Sequence, residues 1–183
     1  MIDFEATIIG AGVVGLSIAR ELSKSGKKVL VIEKNKSFGE ENSSRNSGVI
    51  HAGIYYNENT LKDKWCAKGN ARLYSYVQER KINFIKCGKL VVACNLRERK
   101  QLIKIKENAD RNNIKVNLIS KKKIEELEPK LNVEYALFSE NTGIVDVHEL
   151  MINFVTDIEN SGGIINYNSK FSFSENSKNY ISF

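Results

Sequence analysis

A four-residue apolar run from Ala6 to Ile9 leads into three glycines, Gly10, Gly12 and Gly15. Val14, Ile18 and Leu22 then recur at helical spacing until Gly26 breaks the pattern. Val29 to Ile32 is a second continuous apolar run, the mark of a parallel strand covered on both faces. The order is β-α-β. Residues 38–59, rich in Ser, Asn and Gly, follow neither period and are read as a long ordered loop, a class of segment that usually has a function. Leu61, Trp65, Gly69, Leu73 and Val77 fall at i, i+4 steps and predict a helix over 61–80 with these residues on one face.

Strand signals dominate from Phe84, the clearest being 90–94, before a charged amphipathic helix over 96–112. A strand over 116–119, a short helix over 121–128 that stops before Pro129, and a strand over 135–139 follow. Asp146 is positioned to cap a helix striped by Val147, Leu150, Met151, Phe154, Val155 and Ile158, with Glu149 completing a capping box. Gly162 and Gly163 end that helix, and 164–167 returns to strand. Beyond it Phe171, Phe173, Tyr180, Ile181 and Phe183 alternate with polar residues without closing a recognisable unit. Neither an internal repeat nor a linker is visible.

With 42% hydrophobic and 27% charged residues among 183, the composition is that of a globular protein with a real core. The apolar runs fall far short of the roughly 18 residues of a membrane span. The N-terminus, with Asp3, Glu5 and a glycine turn, does not read as a signal peptide, so a cytoplasmic location is expected. Cys66, Cys87 and Cys94 form no C-x-x-C pair and are read as reduced, mostly buried thiols. No metal site is read from the chain. A net charge of +6 comes largely from residues 97–130, which carry eleven Lys or Arg against six Asp or Glu. Their signs alternate and no aromatic side chain lies among them to stack a base, so the segment is read as a solvated surface rather than a nucleic-acid footprint.

In Gly10-Ala11-Gly12-Val13-Val14-Gly15 the first glycine permits a tight turn, the second lets a pyrophosphate approach the backbone, and the third lets helix pack on strand. The following helix N-terminus faces phosphate charge. A lone G-x-G-x-x-G is a weak signal, but this one follows a strand, opens a helix and is followed by Glu33 at the end of the second strand, where a carboxylate can accept ribose hydroxyls. Glu33 also disfavours the 2′-phosphate of NADP. The cofactor-binding set read here is Gly10, Gly12, Gly15, Glu33 and the adjacent Lys34. The fingerprint by itself leaves FAD and NAD both open.

The segment Ser43-Ser44-Arg45-Asn46-Ser47-Gly48-Val49-Ile50-His51-Ala52-Gly53-Ile54-Tyr55-Tyr56 resembles the signature of L-2-hydroxyglutarate dehydrogenases and oxidases, in the D-amino-acid-oxidase-like group of flavoproteins. Cys87-Gly88-Lys89-Leu90 and Thr142-Gly143-Ile144-Val145-Asp146 continue the likeness in the same order and spacing. The resemblance implies FAD as cofactor and an α/β fold: a Rossmann-like FAD-binding domain with part of an α+β substrate domain. It divides the chain into an FAD-binding segment at 1–80, part of a substrate domain at 81–140 and a return to the FAD domain at 141–183.

The implied reaction moves a hydride from the α-carbon of a 2-hydroxy acid to flavin N5 while a base takes the hydroxyl proton, leaving a 2-oxo acid. His51 is the candidate base, since an imidazole titrates near neutrality; the alternative is a histidine that only hydrogen-bonds flavin or backbone. Ser44, Arg45, Asn46, Ser47 and Gly48 would wrap the pyrophosphate, ribityl chain or ring edge. Arg45 and Tyr55 are candidates for substrate contact, against a loop ion pair for Arg45 and core packing for Tyr55 and Tyr56. His148 is read as exposed and structural, and Lys89 and Asp146 take no assigned role.

The electron acceptor, quinone or oxygen, is left open, as is peripheral contact with the inner face of a membrane. Members of the family are longer, so the chain is expected to be an N-terminal portion that holds FAD weakly or not at all, from a truncated or fragmentary reading frame or from a split one whose C-terminal half is encoded separately. A non-catalytic nucleotide-binding remnant and a relative oxidising an amine or glycerol 3-phosphate are the alternative functions.

Overall fold

The computed structural model describes residues 3–172 and the backbone of 175–176 and 181–182. Phe173, Tyr180 and Phe183 of the terminal alternation lie outside the described residues. Along the chain run β1 (Ala6–Ile9), α1 (Val13–Lys24), β2 (Val29–Ile32), a 3-10 turn (Asn42–Ser44), β3 (Val49–Ile50), α2 (Leu61–Glu79), β4 (Phe84–Ile85) and β5 (Lys89–Ala93). There follow α3 (Leu96–Arg111), β6 (Val116–Ile119), α4 (Lys121–Leu127), β7 (Tyr135–Ser139), β8 (Gly143–Val145), α5 (Val147–Asn160) and β9 (Ile164–Asn166). Two short strands, β10 (Glu175–Asn176) and β11 (Ile181–Ser182), pair antiparallel.

Two compact units form, one from Met1–Asn46 with Asp146–Phe183 and one from Ser47–Val145. These breaks differ from those read at 80/81 and 140/141. The flavin-loop segment is divided at Asn46, and α2 falls in the second unit, because its inward polar side chain Asn70 bonds to backbone of that unit.

The first unit is built on a parallel sheet of order β1-β2-β9, with Ala6 opposite Val29 and Leu30 opposite Ile164. Val29 and Val31 are fully buried in its central strand, as the unbroken apolar run predicts. The helix α1 forms where expected, but its buried side is Leu16, Ala19 and Ser23, while Val14 and Ile18 are 68% and 47% exposed. Small residues decide this: Ala19 and Ser23 let the backbone of α1 come close to its neighbours, which the larger Val14 and Ile18 do not permit. On α5 the expected stripe is the buried one, with Leu150, Met151, Phe154 and Ile158 inside. Asp146 caps that helix by accepting the Glu149 N–H at 2.9 Å. Arg20 of α1, half-buried, and Asp157 of α5, buried, pair at 2.5 Å, and the Arg20 guanidinium lies 5.8 Å from the Phe154 ring centre.

The second unit holds two antiparallel sheets, β3-β8-β4 and β5-β7-β6. Ala52, Ile54, Ala109, Ile114 and Val116 form one apolar cluster, joining the loop after β3 to α3 and β6. A second cluster of Ala93, Leu102 and Leu137 fixes α3 against β5 and β7. The predicted apolar face of α2 is buried only at its end: Val77 is fully covered, whereas Leu61 and Trp65 are 75% and 51% exposed. Thr60 caps that helix by accepting the Asp63 N–H. Cys87 and Cys94 are exposed and Cys66 half-buried, all three as free thiols, so the expectation of mostly buried cysteines does not hold. Cys94 sits where β5 turns into α3, and its N–H donates to Glu98 Oε2 at 2.7 Å, which keeps that corner at the surface.

A parallel three-stranded sheet with helices in one unit and two antiparallel sheets in the other make the expected combination of a Rossmann-like unit with α+β structure.

Candidate functional site

In the first unit the loop from β1 to α1 brings the three glycines to the carboxyl end of the sheet. A Cβ on Gly15 would stand 2.1 Å from the Gly10 carbonyl oxygen, so the third glycine is what allows the helix to leave the strand so closely. A Cβ on Gly12 would meet Ser43 Oγ at 3.1 Å. Glu33, only 6% exposed, accepts the Ala11 N–H on Oε2 and the Asn35 N–H on Oε1, each at 2.8 Å. Each carboxylate oxygen keeps a second acceptor position, so Glu33 holds the loop and still has capacity for a sugar hydroxyl.

A pocket of about 380 Å³ opens here, lined by Gly10, Gly12, Glu33, Lys34, Ser43 and Phe171 among others. That size lies in the range of small-molecule and cofactor sites. The glycine cradle, the buried carboxylate and the exposed first turn of α1 fit the adenosine diphosphate portion of FAD. Lys34 lies on the rim, paired with Glu41 at 3.0 Å, and that contact raises the lysine pKa while lowering that of Glu41.

Ser43 stood in the quoted motif without a role of its own, yet its Oγ accepts the Val13 N–H at 3.0 Å and so caps the first turn of α1. The caps legible in sequence lie immediately before their helices; this one reaches back from thirty residues downstream and leaves no local trace. Ser44, Arg45 and Asn46 do not line the pocket. Ser44 Oγ donates to Glu41 O, and Asn46 Nδ2 donates to Asn42 O and Ser43 O, so these side chains tie the 3-10 turn to itself. Arg45 adds its charge to those lowering the Glu41 pKa. His148 is exposed and stacks on Phe38 with ring centres 5.3 Å apart, in keeping with a structural role.

The second unit gathers the remaining motif residues. β3, carrying Val49 and Ile50, pairs with β8 of the Thr142–Asp146 motif, and the Val145 N–H donates to Gly48 O at 2.9 Å. Gly88 of the Cys87–Leu90 motif donates its N–H to Thr142 O at 2.9 Å. Asn70 Nδ2 donates to His51 O and Asn141 O, at 3.1 and 2.8 Å, and so ties His51 to the turn before β8. Three segments far apart in sequence meet at one place. The His51 side chain is exposed, yet local burial of its ring and the nearby Lys89 charge lower its pKa from the ordinary 6.5. It is therefore a neutral imidazole at pH 7, able to accept a proton. Lys89 Nζ lies 4.7 Å from the centre of the Tyr55 ring. Tyr56 contacts Cys66, and burial raises the pKa of both groups.

Residues 5–177 match the family model described as FAD dependent oxidoreductase (DAO). The chain is 41% identical to a mitochondrial L-2-hydroxyglutarate dehydrogenase of Arabidopsis thaliana over 152 residues, 82% of this chain and 32% of that protein. Its counterpart in Homo sapiens is 36% identical, over 89% of this chain and 36% of that one. The chain thus spans about a third of the length of these relatives. Among solved structures, the dithionite-reduced, FAD-bound L-α-glycerophosphate oxidase from Mycoplasma pneumoniae superposes with a TM-score of 0.87 at 29% identity, over 95% of this chain and 47% of that one. L-proline dehydrogenase from P. horikoshii shares the fold, with a TM-score of 0.86 at 24% identity.

One expectation is overturned by these relatives: a cytoplasmic location was read from the N-terminus, whereas the curated L-2-hydroxyglutarate dehydrogenases are named mitochondrial. Targeting segments are removed without altering the fold that remains, so the residues of the domain carry no address. Among the described residues no helix is long and apolar enough to cross a membrane.

Proposed function

The chain belongs to the FAD dependent oxidoreductase family, whose cofactor is FAD, and on that footing we propose that it serves the oxidation of L-2-hydroxyglutarate to 2-oxoglutarate. The supporting observation for substrate class is identity of 36–41% to L-2-hydroxyglutarate dehydrogenases over most of this chain, against 29% to the glycerophosphate oxidase.

In this reading Gly10, Gly12 and Gly15 admit the pyrophosphate to the N-terminal turn of α1, where backbone N–H groups and the helix dipole favour negative charge. Glu33 accepts ribose hydroxyls, and Lys34 stands beside the phosphates. Ser44, Arg45, Asn46, Ser47 and Gly48 border the rest of the cofactor. FAD, when bound, supplies the two-electron oxidant. His51, neutral at pH 7, takes the proton of the substrate hydroxyl, while Arg45 and Tyr55 contact substrate. Residues Ser47–Val145 carry His51 and Tyr55, and the other unit carries the glycine loop and Glu33.

The test is flavin absorbance of the purified protein, followed on anaerobic addition of L-2-hydroxyglutarate, glycine, sarcosine or glycerol 3-phosphate. Bleaching by L-2-hydroxyglutarate alone is expected. Bleaching by glycerol 3-phosphate instead would move the reading to the other substrate class, and protein purified without flavin would count against cofactor binding by this chain.

A further inference from the structure

Lys89 is half-buried at the start of β5 and makes no ion pair among the described residues. Its neighbours hold it in place. Gly88 has φ +75°, a left-handed conformation, and a Cβ there would stand 2.4 Å from the Phe138 ring, so a side chain is excluded on both counts. The Gly88 N–H is bonded to Thr142 O, and Lys89 lies opposite Ser139, whose buried hydroxyl shares a 3.0 Å hydrogen bond with that of Thr142. The ammonium group rests over the Tyr55 ring at 4.7 Å. A ring face attracts a cation but does not neutralise it, and a partly desolvated ammonium without an anion is a binding site for one.

We propose that Lys89 binds the carboxylate of the 2-hydroxy acid, with Tyr55 bracing the lysine stem and His51 beside it facing the hydroxyl. This inference rests on the 2-hydroxy-acid reading above. A 2-hydroxy acid carries its carboxylate and its hydroxyl on adjacent carbons, so a cation and a neutral proton acceptor in one neighbourhood match both groups. The electrostatics act in the same direction. In the free protein the Lys89 charge works with burial to hold the imidazole unprotonated. A carboxylate seated on Lys89 cancels that charge, so His51 becomes a stronger base when an acid substrate is present.

The experiment follows the Cε1–H resonance of His51 through pH titrations of the wild-type protein, K89M and K89R, with and without 2-oxoglutarate. The chain has only two histidines, and His148 is the internal control. K89M keeps an unbranched side chain over Tyr55, so packing is retained. In wild type, 2-oxoglutarate is expected to bind saturably and raise the His51 pKa. K89R should bind within about threefold of wild type, and K89M at least about tenfold more weakly, as loss of a charge-assisted contact requires. Without ligand, K89M should show a higher His51 pKa than wild type. Equal binding by K89M, or no saturable response in wild type, overturns the proposal. Competition by inorganic phosphate as effective as by 2-oxoglutarate also overturns it, since the site would then be a general anion site. Failure of the function reading shows separately, in the flavin bleaching test on the wild-type protein, which reads substrate oxidation whichever residue holds the carboxylate.

Discussion

The side-chain amide of Asn70 donates to the carbonyl oxygen of His51 at 3.1 Å, and its second contact, to Asn141 O at 2.8 Å, joins two motif segments through α2. The backbone position of the candidate base is thus set by a residue nineteen positions away on a helix.

Replacing Asn70 by Ala removes both bonds and is expected to cost roughly 1–3 kcal/mol, at about 0.5–1.5 kcal/mol per hydrogen bond. N70D should be at least as destabilising, because its carboxylate would face two carbonyl oxygens with no proton to offer. Urea unfolding of the three proteins checks the order.

Two glycine substitutions should have opposite signs. G15A drives a Cβ toward the Gly10 carbonyl, a backbone atom that cannot yield cheaply, and should lose about 1–3 kcal/mol or more. Gly69 lies within α2 with nothing within 4 Å of an added Cβ, so G69A should gain about 0.5–1 kcal/mol from helix propensity. Thermal unfolding midpoints read both.

Arg20 and Asp157 provide a test of buried charge. R20M removes from buried Asp157, at 5% exposure, the guanidinium it meets at 2.5 Å, and should cost up to about 3–5 kcal/mol. The double variant R20M/D157L should recover much of that loss, since replacing a whole buried pair by apolar residues is often close to neutral. A double-mutant cycle in guanidinium measures the coupling.

At Glu33 the two carboxylate oxygens serve two different N–H donors. In E33Q one oxygen becomes an amide nitrogen that cannot accept, so either the Ala11 or the Asn35 bond is lost. The expected result is at least about tenfold weaker FAD retention, on the scale of one charge-assisted hydrogen bond. Flavin-to-protein absorbance ratios after dialysis decide it, and unchanged retention would remove Glu33 from the cofactor site.

The pH dependence of His51 follows from its lowered pKa. The unfolded chain holds the proton at higher pH than the folded one, so the histidine's contribution is fully present above about 6.5 and declines as pH falls through the folded-state pKa. Stability of wild type relative to H51Q should therefore fall on acidification below that value. A constant difference between pH 8 and pH 5 would show that the ring is not perturbed.

What the residues determined by themselves was local. The Ala6 to Ile9 and Val29 to Ile32 runs were legible as strands, the second of them buried, the glycine spacing between them required a tight strand-to-helix turn, and Asp146 could be assigned as a cap because its partner lies three residues on. Periodicity found α1 and α2 but misassigned their buried sides. It weighs apolar size, whereas close approach through Ala19 and Ser23 settled α1 and the hydrogen-bonding capacity of Asn70 settled α2. The resemblance carried by the motifs supplied FAD and an expectation of substrate class, yet it could not reveal that Gly88 bonds to Thr142, that Ser43 caps α1, or that Lys89 lies over Tyr55. Those relationships join residues dozens of positions apart. The Gly88 and Lys89 contacts exist only once antiparallel pairing of β3 with β8 and of β5 with β7 has brought their segments together, and Ser43 reaches α1 only once the loop after β2 folds back on the glycine turn, because contact energies fall off within a few ångströms while sequence patterns record only neighbours along the chain.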